Sequence, residues 1–141
     1  MLDQVRPVAL LLARVAVGVV FIVHGYQKFA VMGLDGATAF FDKVGVPLPG
    51  IAAPAVAVLE VAGGLAFIVG AALPIAGVLL AADMVGAILF VHLPNGFMVG
   101  DGGYEFVLSL AAAALAIGFS GGGLLSVDAL RRQRRGAPAP A

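Results

Sequence analysis

Four long apolar runs constrain this chain more than any other feature. They cover about residues 7–29, 51–70, 74–93 and 104–120 of the 141 in the sequence. A helix needs ~20 apolar residues to cross a bilayer core of ~30 Å. Lipid offers no partner for backbone N–H and C=O groups, so a spanning run must close its hydrogen bonds internally, as a helix does. Barrel strands would alternate in polarity over about ten residues, and these runs do not alternate. Composition agrees, with 62% hydrophobic and 11% charged residues against roughly 45–50% and about 25% in soluble domains. The expected fold is all-α: an integral membrane four-helix bundle, forming one four-span transmembrane domain over residues 1–130. The first run lacks the short core and small-residue cleavage site of a leader, and reads as a span.

The connections differ in character. "GAALP" (70–74) is a tight turn, with Pro74 at a helix start and Pro94 just past the end of the same run. Residues 30–50 form a longer loop, in which Thr38 to Val44 is expected to make a short amphipathic helix on the membrane surface. Phe40 and Phe41 would then face lipid. "PNGFMVGDGG" (94–103) is a turn-rich loop. Residues 131–141 are basic, then rich in Pro and Ala, and are expected to form a disordered cytoplasmic tail. Arg131, Arg132, Arg134 and Arg135 flank the last run and Arg6 the first. Of the two other long loops, one holds only Lys43 and one holds no basic residue. The positive-inside rule therefore places both termini in the cytoplasm, and the protein in the bacterial cytoplasmic membrane as a multi-pass protein. Eight basic and eight acidic groups balance to zero, which leaves no basic surface for nucleic acid. There is no cysteine, so disulfide, thiol and thiolate-metal chemistry are excluded.

Ionisable groups inside a membrane are costly and rarely face lipid. Seven lie at or near membrane depth: Arg14, His24, Lys28, Glu60, Asp83, His92 and Glu105. Counting ~1.5 Å of rise per residue sorts them by depth. An outer layer holds His24, Lys28, His92 and Glu105, with Tyr26 and Tyr104 beside them. An inner layer holds Glu60 and Asp83, with Arg14 below or beside. His24 and Lys28 share a helix face, and Arg14 lies on nearly the same stripe, so this stripe should face the bundle interior. Two readings follow. Arg14, Glu60 and Asp83 can form structural ion pairs, Lys28 can snorkel to the interface, Glu105 can favour a helix start and the tyrosines can anchor at the interface. Alternatively, His24, Lys28, Glu60, Asp83, His92, Tyr104 and Glu105 line a ligand site. Gly63 and Gly70 read as close helix packing. The two histidines have no metal-ligand spacing, so no metal and no covalent cofactor is expected. Ser109, Ser120 and Ser126 follow no nucleophile-elbow pattern. A short echo links "FIVHGYQKF" (21–29) with "LFVHLPNGF" (89–97), both ending an outward-going span with a histidine.

Four ordered pieces carry a resemblance: "LLARVAVGVVFIVHGYQKF", "VLEVAGGLAFIVG", "NGF…GDGGYEFVLSLAAAAL" and "LLSVDAL". Together they resemble the DoxX family of small four-span bacterial membrane proteins, over about residues 8–130. The family pattern falls here on Arg14, Gly25, Lys28, Glu60, Gly63, Gly64, Asn95, Gly96, Gly103, Tyr104 and Glu105. The resemblance implies a helical bundle in the cytoplasmic membrane, and its name derives from a subunit of a thiosulfate:quinone oxidoreductase. With no cysteine and no cofactor motif, a redox role would rest on a bound diffusible quinone or on a redox-protein partner. The leading expectation is a quinone-interacting or redox-associated membrane subunit, an accessory to a quinone-linked oxidoreductase if it serves an enzyme. The alternatives are a non-catalytic anchor or assembly subunit and, third, a small-lipophile transporter. The expected partners are the lipid bilayer, a redox protein and a second copy of the chain.

Overall fold

The computed structural model describes residues 2–136. Six α-helices make up most of it: α1 (Leu2–Tyr26), α2 (Gly33–Lys43), α3 (Pro49–Val69), α4 (Leu73–Ala87), α5 (Glu105–Ser120) and α6 (Val127–Arg134). There is no strand among the described residues. α1 runs on through a π-helical turn at Gln27–Val31, and α4 through another at Ile88–His92. Three helical stretches are long and apolar enough to cross a membrane: Gln4–Val31, Pro49–Val69 and Leu73–Asn95. The fourth apolar run is a helix as expected, but α5 has only 16 residues. It extends ~24 Å, short of the ~30 Å core.

The bundle is two antiparallel pairs. α1 packs on α3 through Arg14, Gly18, Phe21, Gly25 and Lys28, a stripe spaced alternately by four and three residues. The facing stripe on α3 is Ala53, Ala57, Glu60, Gly64 and Phe67, with the same alternation. The two backbones meet at Gly18 and Gly64, where a Cβ on Gly18 would lie 2.6 Å from the Gly64 carbonyl oxygen. Small residues are what allow such an approach in a membrane bundle. α4 packs on α5 by the same device, Gly77 lying against the Ala114 carbonyl and Gly118. Phe21 and Phe67, edge-to-face at 6.4 Å, join Leu73 and Leu80 in the core between the pairs.

Short turns fix the order of the helices. α3 starts at Pro49, in the first turn where its missing N–H costs nothing. It ends at Gly70, whose φ of +72° suits the left-handed cap. A side chain on Gly70 would also collide with Arg14 and Ser126, so this glycine has two reasons to be there. α4 follows two residues later, which makes α3 and α4 adjacent and antiparallel.

Two expectations need correction. The short helix exists, but α2 begins at Gly33, and Phe40 and Phe41 both line a cavity. Phe40 also keeps 37% of its surface exposed, so the cavity does not enclose it. At the other end, the basic stretch expected to be disordered from residue 131 is helical to Arg134. Ser126 caps this helix, accepting from the Ala129 N–H at 3.2 Å. Residues 137–141 of the expected tail lie outside the described residues.

α6 is fastened to the bundle. The Asp128 carboxylate accepts from the backbone N–H groups of Ala72 (3.1 Å) and Leu73 (3.3 Å), capping the start of α4. The Asp128 N–H donates to the Gly70 carbonyl at 3.0 Å. Arg14 is fully buried, 0% exposed. Its guanidinium donates to the Leu125 carbonyl and, at 3.5 Å, to the Phe67 carbonyl. Asp128 supplies the opposing charge.

Two predictions follow from this packing. Gly64→Val drives a branched side chain into α1 and should lower stability by ~1–3 kcal/mol, read as thermal unfolding by circular dichroism in detergent. Gly50→Ala, in open space, should unfold no earlier than wild type. Arg14→Leu and Arg14→Lys should both release α6, because leucine has no donor and lysine lacks the rigid planar fork whose two ends reach carbonyls on two separate segments. Amide exchange over residues 124–134 should quicken about tenfold, the equivalent of ~1.4 kcal/mol, with α2 unchanged. Unchanged exchange in both variants would refute the clasp.

Candidate functional site

A cavity of about 610 Å³ opens in the half of the bundle that carries α2. Small-molecule sites typically measure ~300–1,000 Å³. α1, α3, α4 and α5 form its walls and α2 lies across it. Its wall is mostly apolar, with Phe21, Phe40, Met84 and Phe106 among the large side chains. Five of the seven predicted ligand-site residues line it: His24, Lys28, Glu60, Asp83 and His92.

The two predicted layers meet in this cavity. Lys28 Nζ donates to Glu60 Oε2 at 2.7 Å, with 16% and 4% of their side chains exposed. Side chains on a helix lean toward its N-terminus. α1 and α3 are antiparallel, so Lys28 leans down and Glu60 leans up until they meet. The same lean takes Arg14 away from Glu60 and Asp83 toward the other end. The pairing of Arg14 with the two carboxylates therefore does not form, and Arg14 holds backbone carbonyls instead. Lys28 does not snorkel to the interface, because Glu60 holds it inside.

Asp83 lies on α4, and its Oδ2 is buried without a hydrogen-bond partner. Both π-helical turns border the cavity. One carries Lys28 and the other His92. Such turns shift a side chain around its helix axis and are frequent at functional sites. His92 Nδ1 is 2.8 Å from the Gly102 carbonyl oxygen. That oxygen can only accept, so Nδ1 carries the proton in this contact. His24 is surface-accessible and tilts against Phe106, ring centroids 6.5 Å apart.

Tyr104 and Glu105 do not join the site. Tyr104 packs edge-on against Phe97 at 5.4 Å. Glu105 Oε1 accepts from the Val99 N–H at 2.7 Å and so folds the loop before α5. The turn-rich loop needed an acceptor for its free N–H, and the first residue of α5 supplies it. Sequence reasoning missed the contribution of α2 and of Phe106. The apolar spacing Ala37–Phe40–Phe41 was the available signal, because it marks a helix face that needs cover.

These features define an all-α integral membrane protein with a charged, apolar-walled cavity at membrane depth. The chain belongs to the DoxX family, whose sequence profile matches residues 9–93. It is 38% identical over 118 residues to a Bacillus subtilis protein named "Putative oxidoreductase CatD", covering 84% of this chain and 83% of that protein. It is 33% identical to the inner membrane protein YphA of Escherichia coli, covering 87% of this chain and 90% of that one. An uncharacterised membrane protein of Mycobacterium tuberculosis is 31% identical, with 86% and 80% covered. No solved structure matches the chain.

The ion pair makes a sharp prediction. Removing one partner of a buried pair typically costs ~3–5 kcal/mol, because the other charge is left unpaired, whereas removing both costs far less. Lys28→Met and Glu60→Gln should each lower the unfolding temperature, and the double variant should recover most of the loss. Additive losses in this cycle would mean that the two groups do not interact.

Proposed function

We propose that this protein is a quinone-interacting, redox-associated subunit of the bacterial cytoplasmic membrane, with both termini on the cytoplasmic side. The carrying observation is Asp83, which lines an apolar cavity and whose Oδ2 is buried without a hydrogen-bond partner. Buried polar groups without partners are rare and call for an explanation. A lipophile with a polar head group fits both parts: its head meets Asp83 and its apolar body fills the cavity. The relative whose printed name is an oxidoreductase lends weight to a redox setting.

The residues present fit such a head group. A bound quinone would supply two-electron carrier chemistry, and the chain would supply the rest. Lys28 gives one N–H to Glu60 and has two left to donate to a head-group oxygen. Glu60 fixes the ammonium in place. The Asp83 carboxylate accepts a hydrogen bond from a head-group hydroxyl of the reduced, quinol form. His24 and His92 add imidazole nitrogens that can donate or accept a hydrogen bond in the cavity wall. Phe40, Phe41 and Phe106 keep water from the head group.

A non-catalytic anchor is the second reading, and the Lys28–Glu60 pair is what favours it, since two of the five ionisable groups in the cavity satisfy each other. Mass spectrometry of organic extracts from protein purified in mild detergent separates the two. Wild type should carry a quinone or related lipophile near one per chain. Asp83→Asn and His24→Ala should lower its retention about tenfold, or ~1.4 kcal/mol of binding, while unfolding as wild type does. Wild type without any lipophile, crosslinked in membranes to another protein, would replace this reading with the anchor.

A further inference from the structure

The basic helix at the opposite end has no part in the cavity. α6 begins directly beside Gly70, Ala72 and Leu73, where α3 ends and α4 begins. Both neighbours are spans by length and composition, so α6 is held at the level where they leave the membrane. The hold is stiff: Asp128 caps α4 and the buried Arg14 grips Leu125 from within the bundle. One face of α6 is used up, with Ser126 and Ala129 buried against the bundle. The other face is of mixed character. Arg131, Arg134 and Arg135 are exposed. Beside them Leu124, Leu125 and Leu130 are 61%, 51% and 54% exposed.

Exposed leucines and arginines side by side along α6 and the turn that leads into it need a partner that is apolar and anionic at once. The boundary of a bilayer containing anionic phospholipid has this composition: phosphates above, acyl chains a few ångströms below. Arginine suits it doubly, pairing with phosphate through its fork and laying its stem along apolar surface. We propose that α6 is an anionic-lipid-binding helix, with Arg131, Arg134 and Arg135 engaging phospholipid phosphates while Leu124, Leu125 and Leu130 enter the acyl boundary. Arg14 and Asp128 are then the residues that set its depth.

The chain has no tryptophan, so Leu130→Trp provides a single emitter on this face. The full-length variant is reconstituted into phosphatidylcholine vesicles with brominated acyl chains, with or without phosphatidylglycerol. Emission should be blue-shifted and quenched several-fold more when phosphatidylglycerol is present. High salt should remove the difference, because it screens exposed charge. Changing Arg131, Arg134 and Arg135 to Gln in the same background should also remove it, with circular dichroism unchanged. Quenching that ignores lipid charge overturns the proposal, as does emission that bromine never reaches. Quenching that depends on protein density instead of lipid charge also overturns it, and points to contact between copies.

Discussion

The close approach of α1 and α3 at Gly18 and Gly64 is the constraint on which the rest depends. In lipid there is no hydrophobic drive to bring two apolar helices together, so shape must do it. With no side chain at either position, the backbones approach until carbonyl meets Cα, and only one register permits this. That register fixes the charges on both sides of the crossing. Above it, Lys28 reaches Glu60. Below it, Arg14 comes beside the carbonyls of Phe67 and Leu125. Neither charged contact could set the register alone, because both side chains are long and flexible.

The same crossing explains which parts of the molecule were legible in the sequence. Helix existence was clear, since apolar runs of this length have few other solutions in lipid. The inward stripe of α1 was also clear, because it is local periodicity. Partner choice was not. Depth counting placed Lys28 and Glu60 in separate layers, and it paired Arg14 with the carboxylates. It treated side chains as if they stood straight out from the helix. Long side chains lean toward their helix N-terminus by several ångströms, enough to carry Lys28 onto Glu60 and Arg14 away from it. Tyr104 and Glu105 were misplaced for another reason. They begin α5 and turn back onto the loop before it, Glu105 to the Val99 N–H and Tyr104 to the Phe97 ring, so the local needs of that loop outrank the cavity. The helical part of the basic segment was hidden because arginine and glutamine carry no apolar stripe, and only Ala129 marks its buried face.

The two ends of the bundle are built on different principles. At the α2 end the π-helical turns and α2 leave space, and the ionisable groups border that space. At the α6 end Arg14, Gly70 and Ser126 pack so closely that a methyl group on Gly70 would not fit. At the open end α2 is bounded by glycines at positions 33 and 45, both at positive φ.

The Lys28–Glu60 pair is poor evidence for stability by itself. A buried ion pair is often no more stable than two apolar side chains of similar volume. A bundle that needed only to hold together would do as well with leucine at both positions, as it does at Leu73 and Leu80. The pair borders a cavity that Asp83 and two histidines also line, and α3 keeps it there by placing Glu60 on the same stripe as Gly64. The crossing that holds the bundle together thus also holds a fixed charge against open space. A cavity wall of that kind favours a ligand with a polar head over a plain hydrocarbon, since lipid chains alone would leave Asp83 without a partner.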